Sequence, residues 1–441
     1  MDVLFINRSF WPDAEATGQL LTELCEATAK IDDLQVSVIC GQPNLNLEET
    51  EFRSTGTTVR NGVTIHRVRH TTFDKSTFLG RVTNFVTFLI AATWRAMFCK
   101  RPDVIVVETD PPLLCLLGWF VSTIRRTKLV CYLQDVYPDI AIELGRLKNN
   151  WFSRFLRKCF LFVYRRSDRV VVVGRDMENW LVNHLVKKER IQLVENWVDT
   201  ESVYPIKEGN KFRDEHHLEG KFVAMYSGNL GFTQRFDLIL EAAAKLKDVE
   251  EIVFVFVGNG VKRSALVNEV NERGLTNILF VDYQPKNLLA HSLSAADLHF
   301  VLLDGRLTQF MMPSKIYGAL ASGTPVIGIG DRESPLATQH IDSHLAHLIE
   351  SNDAGFFVPE NAPSELTERI MDLYTSVDLQ EKMSWNARRA AVETYSRERA
   401  VDCFAELLTS TAANANSPKP DFAIPQKMAQ PTIRQLQKKS N

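Results

Sequence analysis

Apolar residues in this chain fall into short runs, separated by stretches where they recur every three or four positions. The runs at Val3–Asn7, Val36–Cys40, Val104–Val107, Leu129–Leu133 and Val170–Val173 are rich in β-branched side chains, and a further strand is expected at Ile191–Glu195. Consecutive apolar positions of this kind mark parallel strands covered on both faces. Between them lie helical patterns, such as Leu20, Leu24, Ala27 and Ile31 on one face. The alternation predicts a doubly wound parallel sheet.

The pattern then restarts. Phe222–Tyr226, Ile252–Val257, Ile278–Val281, Leu298–Leu303, Pro325–Ile329 and Phe356–Val358 form a second set of expected strands. Helical patterns at Leu238–Leu246, Lys262–Arg273, Lys286–Ala295 and Ser314–Ala321 separate them. Two similar α/β domains facing one another are expected, residues 1–200 and 201–385, joined near Asn196–Pro205, where periodicity breaks. From Thr411 onward periodicity collapses into Pro, Asn, Gln and Ser, so 411–441 read as a disordered tail.

Composition narrows the class. Of 441 residues, 45% are apolar and 24% charged, the balance of a globular protein. The formal charge of −3 argues against a nucleic-acid partner. Seven cysteines without a Cys-x-x-Cys pair argue against a zinc ribbon or disulfide scaffold and for a reducing cytoplasm. The start lacks a basic signal-peptide region, and runs such as Leu113–Val121 are too short to span a bilayer.

In open α/β sheets, ligands bind beyond the carboxyl ends of strands. After the first run comes Arg8–Gly18, a loop expected to lead into a helix, where Thr17 and Gly18 can offer backbone N–H groups. The second set opens Tyr226-Ser227-Gly228-Asn229-Leu230-Gly231, with Arg235 near a helix start, where a guanidinium can share a diphosphate. Most informative is Met312-Pro313-Ser314-Lys315-Ile316-Tyr317, ending in Ala321-Ser322-Gly323-Thr324-Pro325-Val326. Here a hydroxyl and a cation stand at a helix N-terminus. His344 and His347 have no third ligand nearby and read as ordinary surface or core histidines.

That last string, with Ser227–Gly231, Val257–Gly260, Ser294–Asp297 and Glu195–Asp199, resembles the retaining GT-B glycosyltransferases of family 4. Phe10-Trp11-Pro12, Cys40–Asn44 and Leu133–Asp139 are similar to the subgroup that builds bacterial exopolysaccharide and O-antigen. The resemblance implies two Rossmann-like domains with a cleft between them. It places the acceptor mainly on the first and the nucleotide sugar mainly on the second, with the last helical stretch, around Gln380–Leu408, returning to the first as one C-terminal helix over 386–410. It further implies retention of anomeric configuration, with protein cations in place of a metal and no cofactor beyond the nucleotide-diphosphate sugar as co-substrate. On this basis Asp135, Arg235 and Lys315 are the expected catalytic residues. Gly228, Asn229, Tyr283 and Ser314 are the expected donor contacts. For Asp135, capping the following helix is the competing role; for Tyr283, packing is.

Departures accompany the likeness. Two glutamates usual in relatives fall at Phe310 and Gly318, and an Arg and a Lys at Asn229 and Gln234. A later acid falls at His344, in Asp342-Ser343-His344. A nucleotide-sugar 2-epimerase or a silent sugar-nucleotide-binding homologue are the alternatives; an epimer formed without acceptor would mark the former.

Trp151–Arg166 holds six aromatics, five cations and no acid. This is the composition of a helix lying in an anionic membrane interface, or of a core helix with solvated arginines. The pattern at Phe85–Phe98 is expected to extend the same patch. A peripheral position on the inner membrane face, near a polyprenyl-linked acceptor, follows as an expectation.

Overall fold

A computed structural model of the chain describes residues 1–13, 15–43, 55–74, 77–231, 234–333 and 342–413. The first sheet comprises β1 (Asp2–Ile6), β2 (Gln35–Cys40), β3 (Gly56–Arg60), β4 (Val63–Arg67), β5 (Val104–Val107), β6 (Lys128–Leu133), β7 (Arg169–Val172) and β8 (Ile191–Leu193). Their order is β3-β4-β2-β1-β5-β6-β7-β8. The second sheet comprises β9 (Phe222–Ser227), β10 (Ile252–Val257), β11 (Ile278–Val281), β12 (Leu298–Leu302), β13 (Val326–Gly330) and β14 (Gly355–Pro359), ordered β11-β10-β9-β12-β13-β14 and parallel throughout. All four residues of β5 and of β7 are buried, as strands covered on both faces require.

The first sheet departs from expectation at one edge. β3 pairs antiparallel with β4, closing a hairpin that apolar runs do not reveal, because β3 is almost wholly exposed. The hidden signal was Asn61-Gly62, both at positive φ between alternating residues.

The end of the chain also differs. The stretch Gln380–Leu408 is two helices, Val377–Glu393 and Arg397–Ala413. The break exists because Val198 takes part in it. Its N–H donates to the Tyr395 carbonyl, and its own carbonyl accepts from Arg397 N–H, each at 3.1 Å. The second helix packs on Ala16–Thr28, with Phe404 edge-on to Tyr132 at 4.9 Å. It includes residues 411–413 of the expected tail; 414–441 lie outside the described residues.

One apolar cluster runs from the first sheet through Phe310, Met312 and Ile316 into the second unit. Polar contacts tie the units at its edges. Val136 N–H donates to the Phe310 carbonyl at 2.8 Å, and Lys286 pairs with Glu23 at 3.2 Å.

Candidate active site

The carboxyl ends of the second sheet's strands carry four glycines in two adjoining loops. Gly228, after β9, has φ +142°, and Gly258, after β10, has φ +133°. Gly228 N–H donates to the Val257 carbonyl at 2.8 Å, and Leu230 N–H to the Asn259 carbonyl at 2.9 Å. A Cβ on Gly258 would stand 2.1 Å from the Gly228 carbonyl oxygen, so the loops meet only because that atom is missing.

Lys315 enters the same place from the helix Lys315–Ala321. Its Nζ donates to Tyr226 Oη at 2.8 Å and lies 4.9 Å from that ring's centre. A Cβ on Gly228 would sit 2.5 Å from Lys315 Cε. Burial pulls the ammonium pKa down to about 8. Among the described residues no carboxylate pairs with it. A cation so enclosed calls for a counterion from outside the chain.

The other expected donor residues differ in status. Tyr283 is half-exposed, its ring against Gly258 and its Oη donating to the Asn259 carbonyl at 3.3 Å. Ser314 is half-buried, and its hydroxyl makes no capping hydrogen bond. Asn229 is wedged into its own loop. A Cβ on Gly231 would lie 2.8 Å from its Nδ2, and one on Gly260 2.7 Å from its Oδ1. Arg235 is already occupied: it donates to Asp237 at 2.8 and 3.0 Å and to Glu360 at 3.0 Å. Those carboxylates hold its charge, so the free guanidinium expected from the sequence is absent from this arrangement.

On the first unit, Thr17 and Gly18 are in the first turn of the helix Ala16–Thr28, which begins earlier than expected. Gly18 lets that turn press on Ser9, since a Cβ there would be 3.2 Å from Ser9 Cβ. Asp135, after β6, bridges to Met311 of the second unit and so adjoins the segment leading to Lys315. Burial first, and Asp110 second, push its carboxyl up to about 7. Among the described residues nothing hydrogen-bonds its carboxylate, and the capping role is not used: the helix Asp139–Glu143 starts after Pro138.

Sequence reasoning missed a network beside it. Arg8 pairs with Asp110 at 3.0 Å, and Ser9 Oγ lies 2.8 Å from Glu15 Oε2 and 2.7 Å from Asp110 Oδ2. The available signal was topological: β1 and β5 are neighbours from which the chain departs in opposite directions.

The replaced acids also have places. Phe310 is buried, edge-on to Trp180 at 6.3 Å, in the core between units. Gly318 abuts Leu293. His344 is a buried contact between units. Its N–H donates to Asp176 Oδ2 at 2.8 Å, and its Nε2 lies 3.2 Å from Glu195 Oε1, outside hydrogen-bond alignment. Among the described residues no group of three His, Cys, Asp or Glu could hold a metal ion.

Comparison with known proteins agrees with this architecture. The family Glycosyltransferase Family 4 matches residues 17–202, and Glycosyl transferases group 1 matches residues 208–390. The chain is 27% identical to the probable glycosyltransferase WbjE of Pseudomonas aeruginosa over 333 residues, 74% of this chain and 78% of that one. It is 26% identical to the putative colanic acid biosynthesis glycosyl transferase WcaI of Escherichia coli, over 56% and 62% of the two chains. The crystal structure of Anabaena HepE with UDP and glucose superposes with a TM-score of 0.67 at 17% identity, covering 93% of this chain and 100% of that one. With both halves matched in order and the paired α/β sheets in place, the chain belongs to the GT-B glycosyltransferases of family 4.

Proposed function

We propose that this chain moves a sugar, with retention of anomeric configuration, from a nucleoside-diphosphate donor to a lipid-linked glycan in cell-surface polysaccharide synthesis. One observation carries the donor half: Lys315 is an enclosed ammonium with no carboxylate among the described residues, beside a glycine loop open to close approach. A diphosphate supplies the missing negative charge. As the bond to the sugar breaks, charge grows on that diphosphate, and a fixed cation stabilises it by about 3 kcal/mol, or roughly 10²-fold in rate. Ser314 Oγ donates to the same phosphates, and the Tyr283 ring takes the base. Asn229 keeps the loop in shape. Arg235 joins only by exchanging Asp237 or Glu360 for phosphate. Asp135 orients the acceptor hydroxyl, and Thr17 and Gly18 hold the first helix against that side. The nucleotide sugar is the co-substrate, and no other cofactor takes part.

The relatives support the setting: WcaI is named for colanic acid biosynthesis, and HepE was solved with UDP and glucose. The surface supports the lipid-linked acceptor. Helices Phe78–Phe98, Leu114–Arg125 and Trp151–Arg166 carry two, one and five Lys or Arg residues and not one Asp or Glu. Val82, Val86, Ile90, Trp94 and Phe98 stand exposed along the first of them, and Trp151, Phe152 and Phe155 on the last. No helix of the described residues is long and apolar enough to cross a membrane. Such a face suits lying on an anionic leaflet, here the cytoplasmic one.

The test is a panel of UDP-, GDP- and ADP-sugars given to the full chain with lipid extract as acceptor. One donor is expected to release nucleoside diphosphate only when acceptor is present, leaving a product of unchanged anomeric configuration by NMR. An epimer formed without acceptor, or no turnover with any donor, would overturn the proposal.

A further inference from the structure

We propose that Arg388 is a positioning residue for the donor-binding cation: its guanidinium fastens the helix that carries Lys315 to the joint between the two units, Asn196–Pro205. The proposal rests on the donor reading above and goes beyond it by naming what holds Lys315 in place.

The helix Lys315–Ala321 is short, and a short helix depends on what grips its ends. Its last carbonyl, that of Ala321, would ordinarily accept from the N–H four residues on. That residue is Pro325, which has no N–H. Arg388, from the helix Val377–Glu393, supplies the donor instead. Its Nη1 donates to the Ala321 carbonyl at 2.8 Å. The same nitrogen donates to the Val203 carbonyl at 2.8 Å, and Nη2 to the Thr200 carbonyl at 2.9 Å. Val203 and Thr200 belong to the joint, so one side chain binds the joint and the end of the Lys315 helix together. Burial moves its pKa down, and no carboxylate opposes that shift. The planar fork of a guanidinium can serve three separate carbonyls, which a single ammonium cannot.

The packing there is equally close. Gly323, just past the helix, has φ +67°, and a Cβ on it would stand 2.8 Å from Pro205 Cγ and 3.6 Å from Arg388 Cβ. The start of the joint is tied to the other unit. Asn196 is buried; its Nδ2 donates to Gln134 Oε1 at 3.0 Å, and its Oδ1 accepts from Gln134 Nε2 at 3.1 Å. Gln134 is the neighbour of Asp135. The joint therefore links the chain beside Asp135 to the helix of Lys315, and Arg388 is the fastening at the donor end. Without it the buried Ala321 carbonyl loses this donor, and the helix is free to carry Lys315 away from Tyr226 and the glycine loop.

Calorimetry of UDP and the pH profile of kcat/KM test this on the full chain. Arg388→Met is expected to weaken UDP about tenfold, and Arg388→Lys, which keeps the charge but not the fork, about threefold. Neither should weaken it further once Lys315 is already methionine. The falling limb of the profile, set by the enclosed Lys315 ammonium, should move to higher pH in both variants, because loosening lets water reach that ammonium. A general loss of stability would leave that limb where it is. Wild-type affinity for UDP in folded Arg388→Met or Arg388→Lys, a further loss in the Lys315→Met background, or an unmoved falling limb would overturn the proposal. Should Arg388→Met not fold, Arg388→Lys reads the same quantities. A wild type that does not bind UDP would instead overturn the donor reading, and this proposal with it.

Discussion

Lys315 occupies the space that a side chain at residue 228 would fill. Its Cε lies 2.5 Å from where a Cβ on Gly228 would be, and Gly228 holds φ +142°. The glycine therefore both shapes the loop and admits the cation. Gly228→Ala is expected to push Lys315 aside and cut kcat/KM about tenfold or more, as Lys315→Ala should. Because both remove the same contact, the double variant should be little worse than either alone. Additive losses in a double-mutant cycle would separate the two residues.

Two groups of opposite character set the pH response. The Lys315 ammonium, lowered to about 8 by burial, is charged below that value and neutral above it. The Asp135 carboxyl, raised to about 7, is protonated below that value and ionised above it. The kcat/KM of the free enzyme should therefore rise as pH climbs through 7 and fall as it passes 8, a narrow bell. Asp135→Asn should abolish the rising limb and leave the falling one. A wild-type profile flat across this range would contradict both assignments.

Phe310 fills one of the two positions where the family resemblance leads us to expect a glutamate. It is packed against Trp180, and its carbonyl accepts from Val136 N–H across the two units. Phe310→Glu would bury an unpaired carboxylate in that core, at a cost of about 3 kcal/mol. Thermal unfolding should move down by several degrees with no gain in turnover. A variant as stable as the wild type would show that this position tolerates charge.

The exposed aromatic face makes its own prediction. Trp94 and Trp151 are 70% and 77% exposed on acid-free helices. Changing both to Glu should lower co-flotation with phosphatidylglycerol vesicles at least about tenfold, since each buried aromatic contributes roughly 1.5–3 kcal/mol. Turnover on a soluble acceptor should be unchanged. Equal flotation of variant and wild type would remove this face as the docking surface.

Much of the fold was legible because its strands are covered on both faces and therefore read as unbroken apolar runs, as at Val104–Val107. β3 was not, because an exposed edge strand, Gly56–Arg60, buries nothing that would impose an apolar pattern. The helix break at Tyr395 was hidden for another reason: it is imposed by Val198, almost 200 residues away. In the site, Ser314 and Lys315 were readable from a local string. The occupation of Arg235 by Glu360 was not, since that pair is 125 residues apart. The Ser9–Asp110 contact spans 101 residues and likewise exists only once β1 and β5 are neighbours.

The central claim is that Lys315, rather than Arg235, supplies the charge that holds the donor's diphosphate. Titration calorimetry of UDP into the wild type, Lys315→Met and Arg235→Met at pH 7 measures this directly. The account predicts a Kd weakened about tenfold or more for Lys315→Met and about threefold or less for Arg235→Met. Unchanged affinity in a folded Lys315→Met protein, or the larger loss in Arg235→Met, would contradict it.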